Sequence, residues 1–315
     1  MDTTELLTRY AGNPILTAAQ WPTTVNAVFN PGATRLGDEV VLLVRVEDRT
    51  GISHLCPARS RDGLTDWTVT TGESLLPALD TEAERFGIED PRITLHDDEY
   101  LIVYTGYSTG GPLVCLASTR DFKTYKRNGV LLSPEDKDAA LFPRRFDGRY
   151  ALIHRPVSTT PQQTANIWLS WSPDLRHWGD HHVLLAAREG AWWDAHKIGL
   201  SAPPLLTSEG WLLLYHGVRV TPAGSIYRLG LALLDAEHPD RVLARSNEWI
   251  FGPDAPYERT GDVGQVVFSC GWIPMDDGDT LQIYYGAADT SVCVATASLA
   301  SLLAWLGTHS DGAAL

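Results

Sequence analysis

Glu89 and Asp90 stand side by side in FGIEDPR, residues 86–92, directly before a proline and an arginine at the start of a strand-like run, ITLHDDEYLIVYTG. A carboxyl group there suits acid chemistry. Pro91 has a fixed φ and is expected to push Asp90 toward extended backbone, so the side chain takes its direction from the main chain. Arg92 is placed to pair with either acid, and the heptapeptide reads equally as a salt-bridged strand start. A second set of residues suits anion binding. Lys137, Arg155, Lys197 and His216 fall at strand ends or in the loops beside them, and Tyr227 adds a hydroxyl donor. Together they could cradle a small anion such as phosphate through charge-assisted hydrogen bonds. Solvated surface lysines are the ordinary alternative for Lys137 and Lys197. The stretch around Lys197, WWDAHKIGLSAPPLL, is too apolar for a solvated loop and favours a lined pocket.

These residues need a scaffold that brings them together, and the chain repeats one pattern five times. A turn rich in Asp and Gly leads into a β-prone run that ends in polar residues: GDEVVLLVRVED, DDEYLIVYTGYS, DGRYALIHRP, SEGWLLLYHGVR and DGDTLQIYYGAAD. Aligned on Val40, Tyr100, Tyr150, Trp211 and Leu281, the copies are 60, 50, 61 and 70 residues apart. That spacing fits propeller blades carrying long loops. After the first three copies comes a second shared element, SRDGLTDW from Ser60, STRDFKTY from Ser118 and SPDLRHW from Ser172. The unit therefore reads strand, turn, strand, Asp turn, aromatic. Five such units describe an all-β, five-bladed β-propeller, whereas a two-sheet sandwich leaves the fivefold recurrence unexplained. ASLASLLAWL near the C-terminus has leucines at helical spacing and predicts one short helix, with a frayed tail over 307–315. No Pro/Gly/Ser linker divides the chain, so residues 1–315 are expected to form one domain. In a propeller, equivalent positions of successive blades face one opening. Arg45, Glu47 and Asp48, then Tyr104, His154 with Arg155, His216, and Tyr285 with Asp289 are thus expected to converge there.

Composition narrows the partners. The 315 residues are 44% hydrophobic and 20% charged, which is ordinary for a globular protein. A formal net charge of −14 argues against nucleic acid as the main partner and makes a local basic pocket informative. The first residues, MDTTELLTRYAGNPIL, lack a charged segment followed by an apolar one, and no apolar stretch reaches membrane-spanning length. A soluble, cytoplasmic protein is expected. Cys56, Cys115, Cys270 and Cys293 have no C-x-x-C spacing and read as buried reduced thiols. No metal-ligand cluster has convincing spacing, and neither metal nor organic cofactor is expected. Most of the eleven tryptophans read as core or blade-turn aromatics.

Ten motifs in order carry a resemblance that spans almost the whole chain. They are FNPGA at Phe29, VRVED at Val44, GIEDPR at Gly87, KDAALFP at Lys137, HRP at His154, WDAHKIG at Trp193, YHGV at Tyr215, YRLGLALLD at Tyr227, YE at Tyr257 and YYGAAD at Tyr284. With these the chain resembles glycoside hydrolase family 130, the β-mannoside phosphorylases and related mannosidases. The resemblance implies a five-bladed propeller with a sugar in its funnel and inorganic phosphate as co-substrate. It implies that Asp90 is the proton donor to the glycosidic oxygen, in family members often through the sugar's own 3-hydroxyl. It further implies that Asn30, Arg45, Glu258 and Asp289 hold the non-reducing mannosyl unit. Lys137, Arg155, Lys197, His216 and Tyr227 would then hold phosphate, whose attack inverts the anomeric carbon and gives α-D-mannose 1-phosphate. Two departures stand out: Lys137-Asp138 where some members have Arg-Asn, and FPRR at Phe142–Arg145 where FPEK is common. The chain also starts close to the first shared motif, which leaves acceptor choice and a homo-oligomeric state open.

A phosphorylase and a hydrolase need different groups. An inverting hydrolase needs a carboxylate base about 6.5–9.5 Å from its acid to activate water. Phosphate is already a charged nucleophile and needs cations to orient it. The cations at Arg155, Lys197 and His216 favour phosphorolysis of β-mannosides. Glu47, Asp48, Glu89 and Glu258 remain candidate bases for a hydrolase, and a non-catalytic sugar-binding propeller is the third reading.

Overall fold

The computed structural model describes residues 6–157 and 164–312. They form five antiparallel sheets, the blades of a β-propeller. Blade 1 runs outward from Ala27–Leu36 through Glu39–Glu47 and Ser53–Ser60 to Thr68–Val69. Blade 2 comprises Ile88–His96, Glu99–Ser108, Gly111–Thr119 and Lys126–Leu132, and blade 3 Asp136–Leu141, Tyr150–Pro156, Ile167–Ser172 and Gly179–Leu185. In blade 4, Lys197–Leu200 and Leu205–Thr207 both pair with Gly210–Thr221, followed by Gly224–Leu234 and Val242–Ser246. Blade 5 is Val267–Pro274, Thr280–Ala287 and Ser291–Ser298. Its outer strand comes from the other end of the chain, because Thr8–Arg9 and Leu16–Thr17 pair with Ser291–Ser298. The first strands of blades 5, 1, 2, 3 and 4 pack in that order around the axis.

Each of the five repeated runs forms the second strand of a blade. These strands are apolar on both faces, and alternation sends successive residues to opposite neighbours. Leu213 and Tyr215 join Ala151 and Ile153 between blades 3 and 4. Leu212 and Leu214 join Leu281 and Ile283 between blades 4 and 5. The other three interfaces are filled in the same way, so burial between blades is the main apolar term of the fold. Asp62, Asp121 and Asp174 each accept main-chain N–H bonds from residues two and three positions on, at 2.8–3.0 Å. Asp235 does the same at the matching place in blade 4, a fourth copy of the turn that lacks the Ser and aromatic markers of the other three. Such Asx turns close a chain reversal without needing a longer loop.

The C-terminal helix spans Leu299–Thr308, with the Ser298 hydroxyl accepting from the Ser301 amide at 3.1 Å. Leu302, Leu303 and Leu306 bury themselves in the cluster between blades 4 and 5. The tail is more ordered than the sequence suggests. Helix continues to Thr308, and Ser310–Gly312 then adds a strand to the open edge of Val242–Ser246, which supplies unpaired main-chain groups. Residues 313–315 of the expected frayed tail lie outside the described residues. All four cysteines are buried and free. Among the described residues no helix is long and apolar enough to cross a membrane.

A buried ion pair adds to the strand pairing that closes the ring. Arg9 Nε and Nη2 donate to Glu258 Oε1 and Oε2, both at 2.9 Å. Tyr285 donates to Oε1 at 2.8 Å, and the Asp254 and Ala255 amides donate to Oε2 at 2.7 and 3.0 Å. Glu258 is completely buried. Removing the cation would leave that carboxylate uncompensated. Arg9→Ala is therefore expected to cost about 3–5 kcal/mol of stability, read as a lower urea midpoint. A loss below about 1 kcal/mol, the range of surface pairs, would show that the pair adds little to closure of the ring.

Candidate active site

Four of the five innermost strands carry an irregularity at the same height. Pairing slips between Phe29 and Gly32, Glu89 and Arg92, Lys137 and Ala140, and Ser269 and Gly271. The residues in the first three bulges include Asn30, Asp90 and Asp138, with φ of 44°, 49° and 52°. Asn and Asp tolerate this left-handed region better than other side chains do, and a bulge re-aims the residue it contains. The expectation of extended backbone at Asp90 is thereby corrected. The proline ring disfavours the right-handed region, and the bulge selects the left-handed one over the extended one.

The bulges surround a cavity of about 400 Å³ on the axis. Asp90 is 3% exposed. Its Oδ1 accepts from Asn30 Nδ2 at 3.0 Å and Arg45 Nη1 at 3.1 Å. Arg45 Nη2 meanwhile donates to Glu89 Oε1 at 2.9 Å. Burial works to raise the Asp90 carboxyl, but Arg45, Lys137, Arg92 and the Asn30 amide outweigh it and hold it below the usual carboxylate range. Lys137 Nζ lies 3.9 Å from Glu89 Oε2. Burial pulls the Lys137 ammonium down, yet Glu89, Asp138 and Asp90 leave it above its ordinary value. Lys197 Nζ sits 5.5 Å from the centre of the Tyr227 ring. His216 is pushed down to about 4, chiefly by burial and against the pull of Asp138, so it is a neutral imidazole near pH 7.

Nine of the ten residues singled out from the sequence line this cavity: Asn30, Arg45, Asp90, Lys137, Arg155, Lys197, His216, Tyr227 and Asp289. Glu258 does not. Its carboxylate is spent on Arg9, Tyr285 and two amides away from the cavity wall, which corrects its expected place on the mannosyl unit and removes it as a candidate base. Five polar residues expected at the opening do not line the cavity either, Glu47 and Asp48 just past Arg45, and Tyr104, His154 and Tyr285 in their own strands. Tyr104 donates to Glu84 at 2.6 Å within the core between blades 1 and 2. Tyr285 lies in the core between blades 4 and 5, and His154 points into blade 3, to Asp136 and Ser170. Strand alternation accounts for this, since only every second residue of these strands can face the axis. Asp48 caps its own turn, accepting from the Thr50 and Ile52 amides at 2.7 and 3.1 Å. Arg92 pairs with neither Glu89 nor the Asp90 carboxylate. It donates to the carbonyls of Asp90, Leu200 and Ser201 at 3.0–3.1 Å and to Asp138 at 3.3 Å, joining three blades.

Asp138 is the residue that the sequence reading left without a role. It is fully buried, and its carboxylate takes Arg92, Arg155 and approaches His216. The pattern shared by Asn30-Pro31-Gly32, Asp90-Pro91-Arg92 and Asp138-Ala139-Ala140, an Asx residue two places before a resumed strand, was the available signal. Glu135, Tyr107, Val263 and Phe268 also line the cavity from loops and strand ends that no motif marked. Among the described residues no tryptophan lines it.

The sequence profile of glycoside hydrolase family 130, described as beta-1,4-mannooligosaccharide phosphorylase, matches residues 1–308. The chain belongs to glycoside hydrolase family 130. Within the family, it is 39% identical over 254 residues to the beta-1,2-mannobiose phosphorylase of Listeria innocua, covering 81% of this chain and 69% of that protein. It is 30% identical over 319 residues to the beta-1,4-mannooligosaccharide phosphorylase of Ruminococcus albus, covering 98% and 93%. The crystal structure of the Listeria innocua beta-1,2-mannobiose phosphorylase in complex with beta-1,2-mannobiose superposes with a TM-score of 0.88 at 33% identity, covering 96% of this chain and 99% of that one.

Asp289 behaves opposite to Asp90. Burial, and then the negative charge of Asp90, push its carboxyl up to about 6. A raised folded value favours the folded state at low pH, and the contribution is lost as pH rises through about 6. Between pH 4 and 7 the protein should therefore lose melting temperature relative to Asp289→Asn, with the two profiles converging at the acid end. Parallel profiles across that range would remove the assignment.

Proposed function

We propose that this chain is an inverting phosphorylase that acts on β-1,2-linked mannosides, with Asp90 as its acid and the Lys137, Arg155 and Lys197 cations as its phosphate site. The observation that carries the reading is the placement of these three cations in the same cavity as one carboxyl gripped by Asn30 and Arg45. The linkage reading is supported by the higher identity to the β-1,2-mannobiose phosphorylase, 39%, than to the β-1,4-mannooligosaccharide phosphorylase, 30%.

In this mechanism Asp90 gives its proton, directly or through the sugar's 3-hydroxyl, to the oxygen that leaves with the acceptor sugar. A phosphate oxygen attacks the anomeric carbon from the opposite face, the C–O bond to the acceptor breaks, and α-D-mannose 1-phosphate forms. The proton that phosphate loses replaces the one Asp90 gave, so the exchange balances. In the free protein the cations hold Asp90 ionised, and an ionised carboxylate cannot donate. Bound phosphate offsets Lys137, one of the cations that depress Asp90, and the weaker cationic pull lets Asp90 take up a proton when the nucleophile is in place. No carboxylate base is needed because phosphate carries its own charge.

The reading is tested by incubating the protein with β-1,2- and β-1,4-manno-oligosaccharides, with and without phosphate. Phosphate-dependent release of α-D-mannose 1-phosphate, faster from the β-1,2 substrates, is expected. Free mannose released at the same rate without phosphate would overturn it. Asp90→Asn should lower kcat by about 10²–10⁴-fold, the range of a lost general acid, while sugar binding persists. Arg155→Ala should raise KM for phosphate far more than KM for the sugar, and an equal rise in both would assign Arg155 to the scaffold.

A further inference from the structure

Asp138 occupies in blade 3 the bulge position that Asp90 occupies in blade 2, and although it borders the same cavity its side chain is fully buried among basic groups. Its Oδ2 accepts from Arg155 Nε at 2.8 Å and stands 2.7 Å from Arg155 Nη2. The same oxygen lies 3.4 Å from His216 Nε2, and Oδ1 accepts from Arg92 Nη2 at 3.3 Å. Three basic groups from blades 2, 3 and 4 thus meet on one carboxylate. Arg155, Arg92 and His216 overcome the effect of burial and hold Asp138 well below the usual carboxylate range.

The consequence lies in the donors that remain. A guanidinium has five N–H groups in a rigid fork. Asp138 takes the Nε/Nη2 edge of Arg155, and Nη1 has no protein partner among the described residues although Arg155 lines the cavity. The occupied edge fixes the plane and direction of the fork, and the Nη1 end is left for another anion. The arrangement also explains Gly199. A Cβ there would lie 2.5 Å from Asp138 Oδ2 and 2.5 Å from His216 Cε1, so only glycine lets the carboxylate and the imidazole approach. The main chain of Arg155 is held as well, since its amide donates to Asp136 Oδ1 at 3.1 Å.

We propose that Asp138 is a positioning residue for the nucleophile. It holds Arg155 by one edge so that the free edge presents to phosphate, and it acts through Arg155 rather than by touching phosphate itself. The proposal rests on the phosphorylase reading above and extends it to a residue whose own carboxylate is occupied by Arg155, Arg92 and His216.

The test compares wild type, Asp138→Asn, Arg155→Ala and the double variant in phosphorolysis of β-1,2-mannobiose, with inorganic phosphate as the varied substrate. Asp138→Asn should raise KM for phosphate by about ten- to a hundredfold and leave KM for the disaccharide within about twofold. In the Arg155→Ala background the same substitution should have little further effect on KM for phosphate, because the residue through which it acts is gone. Gly199→Ala provides a second route. It keeps every charge in place, pushes Asp138 Oδ2 aside, and should raise KM for phosphate in the same direction even if Asp138→Asn does not fold. An unchanged or lower KM for phosphate in the folded single variants would overturn the proposal, as would additive effects in the double variant. A wild type that releases mannose without phosphate would instead overturn the phosphorylase reading, so the two failures are distinct.

Discussion

A carboxylate and a guanidinium buried together near the axis hold the centre of this propeller. Arg92 is 1% exposed and Asp138 is fully buried. Two charges so far from water are tolerated only when each is paired and its remaining hydrogen-bonding capacity is filled. Arg92 meets that condition with three main-chain carbonyls and Asp138, and Asp138 meets it with Arg92, Arg155 and His216. The carbonyls come from blades 2 and 4 and the carboxylate from blade 3. The relative placement of these blades is therefore set by polar geometry as well as by the apolar clusters between them. Apolar contact is non-directional and would tolerate small rotations of a blade, whereas hydrogen bonds to charged groups are directional and would not.

The cavity wall is built on the same constraint. In blades 1, 2 and 3 the bulge on the inner strand inserts a residue that regular pairing would have sent into a blade interface, and a left-handed φ turns an Asn or Asp toward its neighbours near the axis. Blade 1 contributes Asn30, blade 2 Asp90 and blade 3 Asp138, and the three differ in what surrounds them. Asp90 meets Asn30 and Arg45 and lines the cavity. Asp138 borders the same cavity, but its carboxylate is fully buried and taken up by three basic groups. One backbone device thus yields two carboxyls in different settings, and the difference lies in the partners that surround each.

Much of this was legible in the chain. The five β-prone runs, their Asp turns and the short leucine-spaced helix are local patterns, and local patterns of period two or 3.6 survive folding because they arise from backbone geometry. The cations around Lys137, Arg155 and Lys197 were legible because charged residues embedded in apolar surroundings are costly unless they have a purpose. Glu258, Tyr104 and Tyr285 were misplaced for the converse reason. They sit beside site residues in sequence, but their alternation phase and their partners come from distant segments: Arg9 for Glu258, Glu84 for Tyr104, and Glu258 for Tyr285. Asp138 was visible in its motif without a role, since its meaning depends on meeting Arg92 and His216 from other blades.

The sequence by itself determined the number of blades, the strands that form them and the residue types available for acid and anion chemistry. These follow from hydrophobic periodicity, turn chemistry and charge, which are properties of short stretches. Only the tertiary structure decided which carboxylates face the cavity, which cations are free to meet a ligand, and which charges are consumed in closing the ring. A side chain's protonation, direction and partners are set by groups many residues away that folding brings within hydrogen-bond reach.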